Sequence, residues 1–296
     1  MPGRRSNGET MKLELISIET STYPLDGLFY QPEIDTGKGA ILIMHGNCAN
    51  FYTGVSRHFA PLLTRLGYAV LTYNRRGHDV LASIAREATG GAFQLIHEMI
   101  EDNQQAERWL ATRAYHSPIV IGHSNGGMLA VKHCAGRATV RALVLLSAHQ
   151  GGKNLFRAIS QVGLMACERF EEFSARAREL VAVGRGNDLM QVPGWWWVIS
   201  AQSFVDYLDN CPDILELAPQ VRCPVLFLRG DREANDVYSG EAFVRRAGGS
   251  AEFALVSDCD HYYRGREHQA VNLIAKWLFQ SNIHSTPASL ITADTK

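Results

Sequence analysis

The chain has 296 residues, 46% of them apolar and 20% charged, with a formal net charge of −1. That length allows one large α/β domain or two smaller ones, with enough apolar residues to bury a sizeable core. The near-neutral charge excludes a basic footprint for nucleic acid and a polybasic stripe for a membrane surface.

Apolar and polar residues alternate from Met11 to Ser21, which predicts a half-exposed strand, and Leu25 to Tyr30 predicts its hairpin partner. Ala40 to Met44 is a short, wholly apolar run, as expected of a strand buried on both faces. Val55, Phe59, Leu62, Leu63 and Leu66 form one helical stripe that stops at Gly67. The unit then recurs. Tyr68 to Tyr73 is strand-like, Ile96 to Leu110 carries a second helical stripe, Pro118 to Gly122 is the next strand and Gly126 to Ala135 the next helix. Val140 to Ser147 is another buried strand. This alternation predicts a mainly parallel sheet with helices on both faces.

The rhythm breaks between about Gly151 and Pro219, where the sequence is helical in flavour and includes Trp195-Trp196-Trp197. It resumes at Pro224 to Leu228, continues through Gly240 to Ala247 and Ala251 to Val256, and ends in a helix from Glu267 to Gln280. An insertion between strands predicts a cap folded over the strand tips. The expected organisation is a core over 11–150 and 219–281, a helical cap over 151–218, and loose tails over 1–10 and 282–296. Six cysteines (Cys48, Cys134, Cys167, Cys211, Cys223, Cys259) lack C-x-x-C and zinc spacing, which predicts free thiols and no metal site. The polar first ten residues hold no signal-peptide core, and no apolar run approaches a membrane span, so the cytoplasm is the expected location.

The richest stretch is Gly122-His123-Ser124-Asn125-Gly126-Gly127, directly after the apolar Pro118 to Ile121. Glycines flank a serine where a buried strand stops and a helix starts. Such a turn strains the serine backbone, tolerates no side chain two residues away on either side, and leaves the hydroxyl standing at the strand tip. Ser124 is therefore the candidate nucleophile, and it needs a base and an orienting acid. Of eleven histidines, His261 is placed best, in the loop Asp258-Cys259-Asp260-His261 ahead of the last helix. His45 belongs to a turn, His123 is expected to face away from the serine side of its turn, and His268 falls on the final helix. The acid belongs after Pro224 to Leu228. Asp231 is nearest the strand tip, and Glu233 and Asp236 compete with it. Donors for a developing oxyanion are expected from the backbone N–H groups of Asn125, at a helix start, and Asn47, in the loop after Met44.

These residues resemble the α/β-hydrolase fold superfamily. The resemblance rests on His45-Gly46-Asn47, Asn74-Arg75-Arg76-Gly77-His78, the elbow Gly122 to Gly126, the acid loop near Asp231, and His261. The order serine, acid, histidine is the one that superfamily uses. It covers Met11 to Gln280, least well in the cap, and the acid loop departs from the commoner G-x-x-D form. The resemblance implies an eight-stranded, mostly parallel sheet and hydrolysis of a carboxylic ester or lactone through an acyl-enzyme, with no metal or organic cofactor. The expected partner is a small-molecule ester, with no nucleic acid and no membrane. Cap aromatics, Trp195, Trp196 and Phe204 among them, are expected to contact a bulky apolar substrate such as a macrolactone. Perhydrolysis or acyl transfer on the same triad, or a non-catalytic ligand-binding role, are the competing expectations.

Overall fold

The computed structural model describes residues 11–47, 49–76, 88–194 and 197–283. The expected tail over 1–10 and all of the other beyond residue 283 lie outside them, as do Gly77, His78, Trp195 and Trp196.

Strands and helices alternate as β1 (Met11–Ile18), β2 (Leu25–Pro32), β3 (Ala40–Met44), α1 (Gly54–Arg65), β4 (Ala69–Tyr73), α2 (Ile96–Thr112), β5 (Ile119–His123), α3 (Asn125–Cys134) and β6 (Ala142–Leu146). An inserted segment follows, with α4 (Leu155–Gln161), α5 (Phe170–Ala182), the strands β7 (Leu189–Val192) and β8 (Trp197–Ser200), α6 (Ala201–Asn210) and α7 (Ile214–Leu217). The alternation then resumes with β9 (Val225–Gly230), α8 (Gly240–Arg246), β10 (Ala251–Val256) and α9 (Glu267–Gln280).

One eight-stranded sheet runs in the order β1-β2-β4-β3-β5-β6-β9-β10. Only the β1–β2 and β2–β4 pairings are antiparallel; every other neighbour in this sheet is parallel. The eight-stranded, mostly parallel sheet flanked by helices is therefore as expected. The insertion is not purely helical, however, because β7 and β8 pair as an antiparallel hairpin. Burial alternates along Leu189–Val192, with Met190 and Val192 turned inward and Leu189 and Gln191 exposed.

The continuous apolar strands are explained by burial on both sides of the sheet. In β3, Ile41 and Ile43 join Phe59 and Leu63 of α1 and Ile274 and Trp277 of α9 in one core. Leu42 and Met44 point the other way, into a core with Met99 and Leu110 of α2, Leu129 of α3 and Phe243 of α8. The period of two along each strand divides the sequence between these layers. Inserted residues Phe156, Phe204 and Tyr207 join the second core, so the segment over 151–218 shares it with the sheet rather than forming a core of its own. None of the described helices is long and apolar enough to cross a membrane.

Candidate active site

The chain leaves β3 toward β4 on one side and reappears as β5 on the other. Connections that diverge this way leave a crevice at the carboxyl ends of the two strands, where ligands bind in open α/β sheets. Ser124 follows β5 and the loop from His45 follows β3, so both open into it.

Ser124 sits at φ 55°, ψ −121°, a strained conformation directly before α3. Neighbouring glycines let strand, turn and helix close this tightly. A Cβ on Gly122 would lie 2.5 Å from the Gly126 carbonyl oxygen and 2.7 Å from the Ala130 Cβ. A Cβ on Gly126 would strike the Met44 and His45 carbonyl oxygens, which belong to rigid backbone. Gly126→Ala is therefore expected to destabilise the fold by about 3 kcal/mol. Thermal unfolding should show a melting temperature lower by about 8 °C. A parent-like transition would show that the turn has room to spare.

His261 places its Nε2 at 3.0 Å from Ser124 Oγ, and its Nδ1 at 2.6 Å from Glu233 Oε1. The Glu233 side chain is 4% exposed and that of His261 18%, so the pair is shielded from bulk water. The other Glu233 oxygen, Oε2, accepts the Gly230 N–H at 2.8 Å and the Ser147 hydroxyl at 2.5 Å.

The expectation that Asp231 faces the imidazole is corrected by this geometry. β9 ends at Gly230, and the Glu233 N–H bonds back to the Gly230 carbonyl at 3.3 Å. That turn folds residue 233 over the strand tip. Asp231 instead accepts the Asp258 N–H at 2.9 Å and the Cys259 N–H at 3.1 Å, tying down the loop that leads to His261. Asp236 is exposed. The sequence signal for Glu233 was the longer side chain, which reaches back from a turn where an aspartate beside the tip cannot.

Other histidines flank the site. The His123 Nε2–H donates to the His261 carbonyl at 2.8 Å, and the two rings lie 4.8 Å apart, so His123 does touch His261. Burial, reinforced by neighbouring His261, pushes the His123 pKa down to about 3, and His123 stays neutral. His149 is held down to about 3 as well, again chiefly by burial. His268 is exposed on α9.

The loop after β3 is fixed from below. Its His45 donates from Nδ1 to the Gly46 carbonyl at 2.8 Å and accepts the Arg75 N–H on Nε2 at 3.2 Å. The fully buried Arg75 guanidinium donates to the His45 carbonyl at 2.7 Å and reaches the Gly46 carbonyl at 3.4 Å. Two carbonyls held by one planar cation give this loop little freedom. Asn125 is the first residue of α3, where backbone N–H groups have no acceptor within the helix.

Two cavities meet at Ser124. One, of about 320 Å³, is walled by Asn47, Val55, Trp197, His261 and the half-exposed Tyr262. The other, of about 30 Å³, lies among Asn47, Phe156, Tyr207 and Tyr238. Phe204 lines neither: it is fully buried, with its ring 5.0 Å from that of Phe156, and so packs behind the wall. Trp195 and Trp196 are outside the described residues, and the tryptophan that does reach the cavities is Trp197. Among the described residues, no group of His, Cys, Asp or Glu is arranged to hold a metal ion.

The profile of the family described as serine aminopeptidase, S33, matches residues 35–265. The chain belongs to this hydrolase family. No curated protein matches the S33-family chain at a significant level. Among solved structures it is similar to a soluble variant of monoglyceride lipase from Saccharomyces cerevisiae in complex with a substrate analog, at 13% identity and TM-score 0.67, over 97% of this chain and 100% of that one. Est1E from Butyrivibrio proteoclasticus, with ferulic acid bound, aligns at 16% identity and TM-score 0.66, over 90% and 98%. An esterase from Pyrococcus furiosus aligns at 15% identity and TM-score 0.63, over 94% and 97%. At these identities the likeness is one of fold. S33 membership agrees with the expected hydrolytic enzyme of the α/β-hydrolase class.

Proposed function

We propose that this S33-family chain hydrolyses carboxylic esters or lactones through an acyl-enzyme on Ser124, with His261 as base and Glu233 as the orienting acid. The single observation that carries this reading is the unbroken chain from Ser124 Oγ to His261 Nε2 at 3.0 Å and from Nδ1 to Glu233 at 2.6 Å.

As Ser124 Oγ attacks the carbonyl carbon, its proton passes to His261 Nε2, while Nδ1–H keeps donating to Glu233. The tetrahedral oxyanion is met by the backbone N–H groups of Asn125 and Asn47. His261 then returns the proton to the departing alcohol oxygen, leaving the acyl group on Ser124. A water molecule, deprotonated by His261 in turn, releases the acid. The leaving oxygen must be within reach of His261, so the alcohol portion occupies the cavity of about 320 Å³ that His261 helps to wall.

The segment over 151–218 acts as a cap. It supplies Leu155, Phe156, Ile159, Trp197 and Tyr207 to the smaller cavity. Those walls favour an apolar ester whose bulkier part sits in the larger space, with macrolactones at the upper end of the class. The family description names an aminopeptidase, but a free peptide amine would need a carboxylate to receive it. Among the described residues that line the two cavities, none is acidic.

A fluorophosphonate is expected to label Ser124 with one-to-one stoichiometry. A substrate panel from short aryl esters to macrolactones, with aminoacyl anilides beside them, should show turnover of esters and none of anilides. Absence of labelling would remove the nucleophile and with it the whole reading.

A further inference from the structure

Three buried or half-buried non-glycine residues with positive φ lie on the hydrogen-bonded chain that passes through Glu233: Ser124 at 55°, Ser147 at 46° and Tyr263 at 58°. Ser124 is explained by the turn that exposes the nucleophile. The other two have no such turn to serve. Ser147 directly follows β6, is fully buried, and donates its backbone N–H to the Leu228 carbonyl at 2.8 Å. A glycine would meet that backbone conformation without strain. What glycine lacks is the hydroxyl, and that hydroxyl reaches Glu233 Oε2 at 2.5 Å.

Counting hydrogens assigns the direction of each bond. Ser147 has one hydroxyl proton, and an ionised carboxylate can only accept, so that proton goes to Glu233. The Ser147 oxygen is then free to accept from the Tyr263 hydroxyl, 2.9 Å away. Tyr263 is fully buried, and its one hydroxyl proton is shared between the Ser147 oxygen and the Leu228 carbonyl, 3.1 Å away, since both can only accept from it. Burial, with Glu233 adding to it, pushes the Tyr263 phenol pKa far up, so it stays a donor. With the Gly230 N–H at 2.8 Å, Oε2 receives two donors. Oε1 is left as the oxygen that faces His261 at 2.6 Å.

We propose that Ser147 is a positioning residue for the acid: its hydroxyl locks one Glu233 oxygen so that the other holds His261 in line with Ser124, and Tyr263 aims that hydroxyl. The inference rests on the triad reading above. Strain at residues 147 and 263 is retained because the side chains it delivers are needed at the carboxylate.

The test compares Ser147→Gly, Tyr263→Phe and Glu233→Gln, with Ser147→Gly also placed in the Glu233→Gln background. Readouts are melting temperature, kcat and KM on 4-nitrophenyl acetate, and the rate of fluorophosphonate labelling. Ser147→Gly is expected to lower kcat about thirtyfold, the size of one lost hydrogen bond to a charged group, with KM held within about twofold. Its melting temperature should not fall, because glycine relieves the strain. Tyr263→Phe should lower kcat about fivefold through the weaker aim of Ser147. In the Glu233→Gln background, Ser147→Gly should lose less than about threefold more, since a residue that acts through Glu233 has nothing left to position.

Three results overturn the proposal: kcat of Ser147→Gly within about threefold of the parent, the full loss repeated in the Glu233→Gln background, or a melting temperature that drops with kcat and marks a structural role. If Glu233→Gln itself keeps parental activity, the triad reading fails and takes this inference with it. If Glu233→Gln is inactive and Ser147→Gly is not, only the inference falls.

Discussion

Ser124→Ala is expected to lower kcat on a 4-nitrophenyl ester by about a millionfold, the loss seen when a serine nucleophile is removed from a working triad. The methyl group keeps the Cβ that the turn already accommodates at φ 55°, so the melting temperature should stay near that of the parent. His261 Nε2 would then face a methyl at the position where Oγ now sits 3.0 Å away, with no hydroxyl to deprotonate. What survives is catalysis by the oxyanion donors alone. Residual turnover within tenfold of the parent, on protein free of contaminating esterase, would sink the assignment.

Glu233→Gln and Asp231→Asn should separate by about four orders of magnitude in kcat. At Glu233 the argument comes from the donors already in place. Oε2 receives the Gly230 N–H at 2.8 Å and the Ser147 hydroxyl at 2.5 Å. An amide nitrogen cannot sit where a backbone N–H points at it, so the amide introduced by Glu233→Gln would turn its NH₂ toward His261 instead. His261 Nδ1 would then have to accept, the ring proton would move to Nε2, and Nε2 could no longer take the Ser124 proton. At Asp231 the neighbours are the Asp258 and Cys259 N–H groups, at 2.9 and 3.1 Å. An asparagine keeps its oxygen for one of them and must turn its NH₂ away from the other, which costs the loop one hydrogen bond but leaves the contact between Glu233 and His261 in place, so activity should stay within about threefold of the parent. Steady-state kinetics on the two purified variants decides it, and the reverse order would return the acid to residue 231.

Much of the layout was legible in the residues. The wholly apolar Ala40–Met44 and Ala142–Leu146, and Ala69–Tyr73 with one threonine among its apolar residues, read as strands covered on both faces, and each is fully buried. The interrupted rhythm after Ser147 placed the insertion between β6 and β9. The small strands β7 and β8 were hidden there, because four residues apiece give too short a pattern to stand out from helix. The aromatic count of the insertion overstated the substrate surface. The Phe156 ring packs 5.7 Å from that of Trp197, 5.0 Å from Phe204 and 5.4 Å from Tyr207, and much of that aromatic area holds the segment together.

By itself the sequence determined the sheet, the tight bend at residue 124 and the loop that brings His261 to it. Each of these follows from local patterns: period, glycine spacing and turn position. Only the tertiary structure decided which carboxylate meets the imidazole, and that His123, Ser147 and Tyr263 gather behind it. Those choices depend on where a turn sends a side chain three residues past a strand, and on contacts across as many as 138 positions, as between His123 and His261. No local pattern encodes a distance between residues so far apart in the chain; the packed sheet alone brings them within a hydrogen bond.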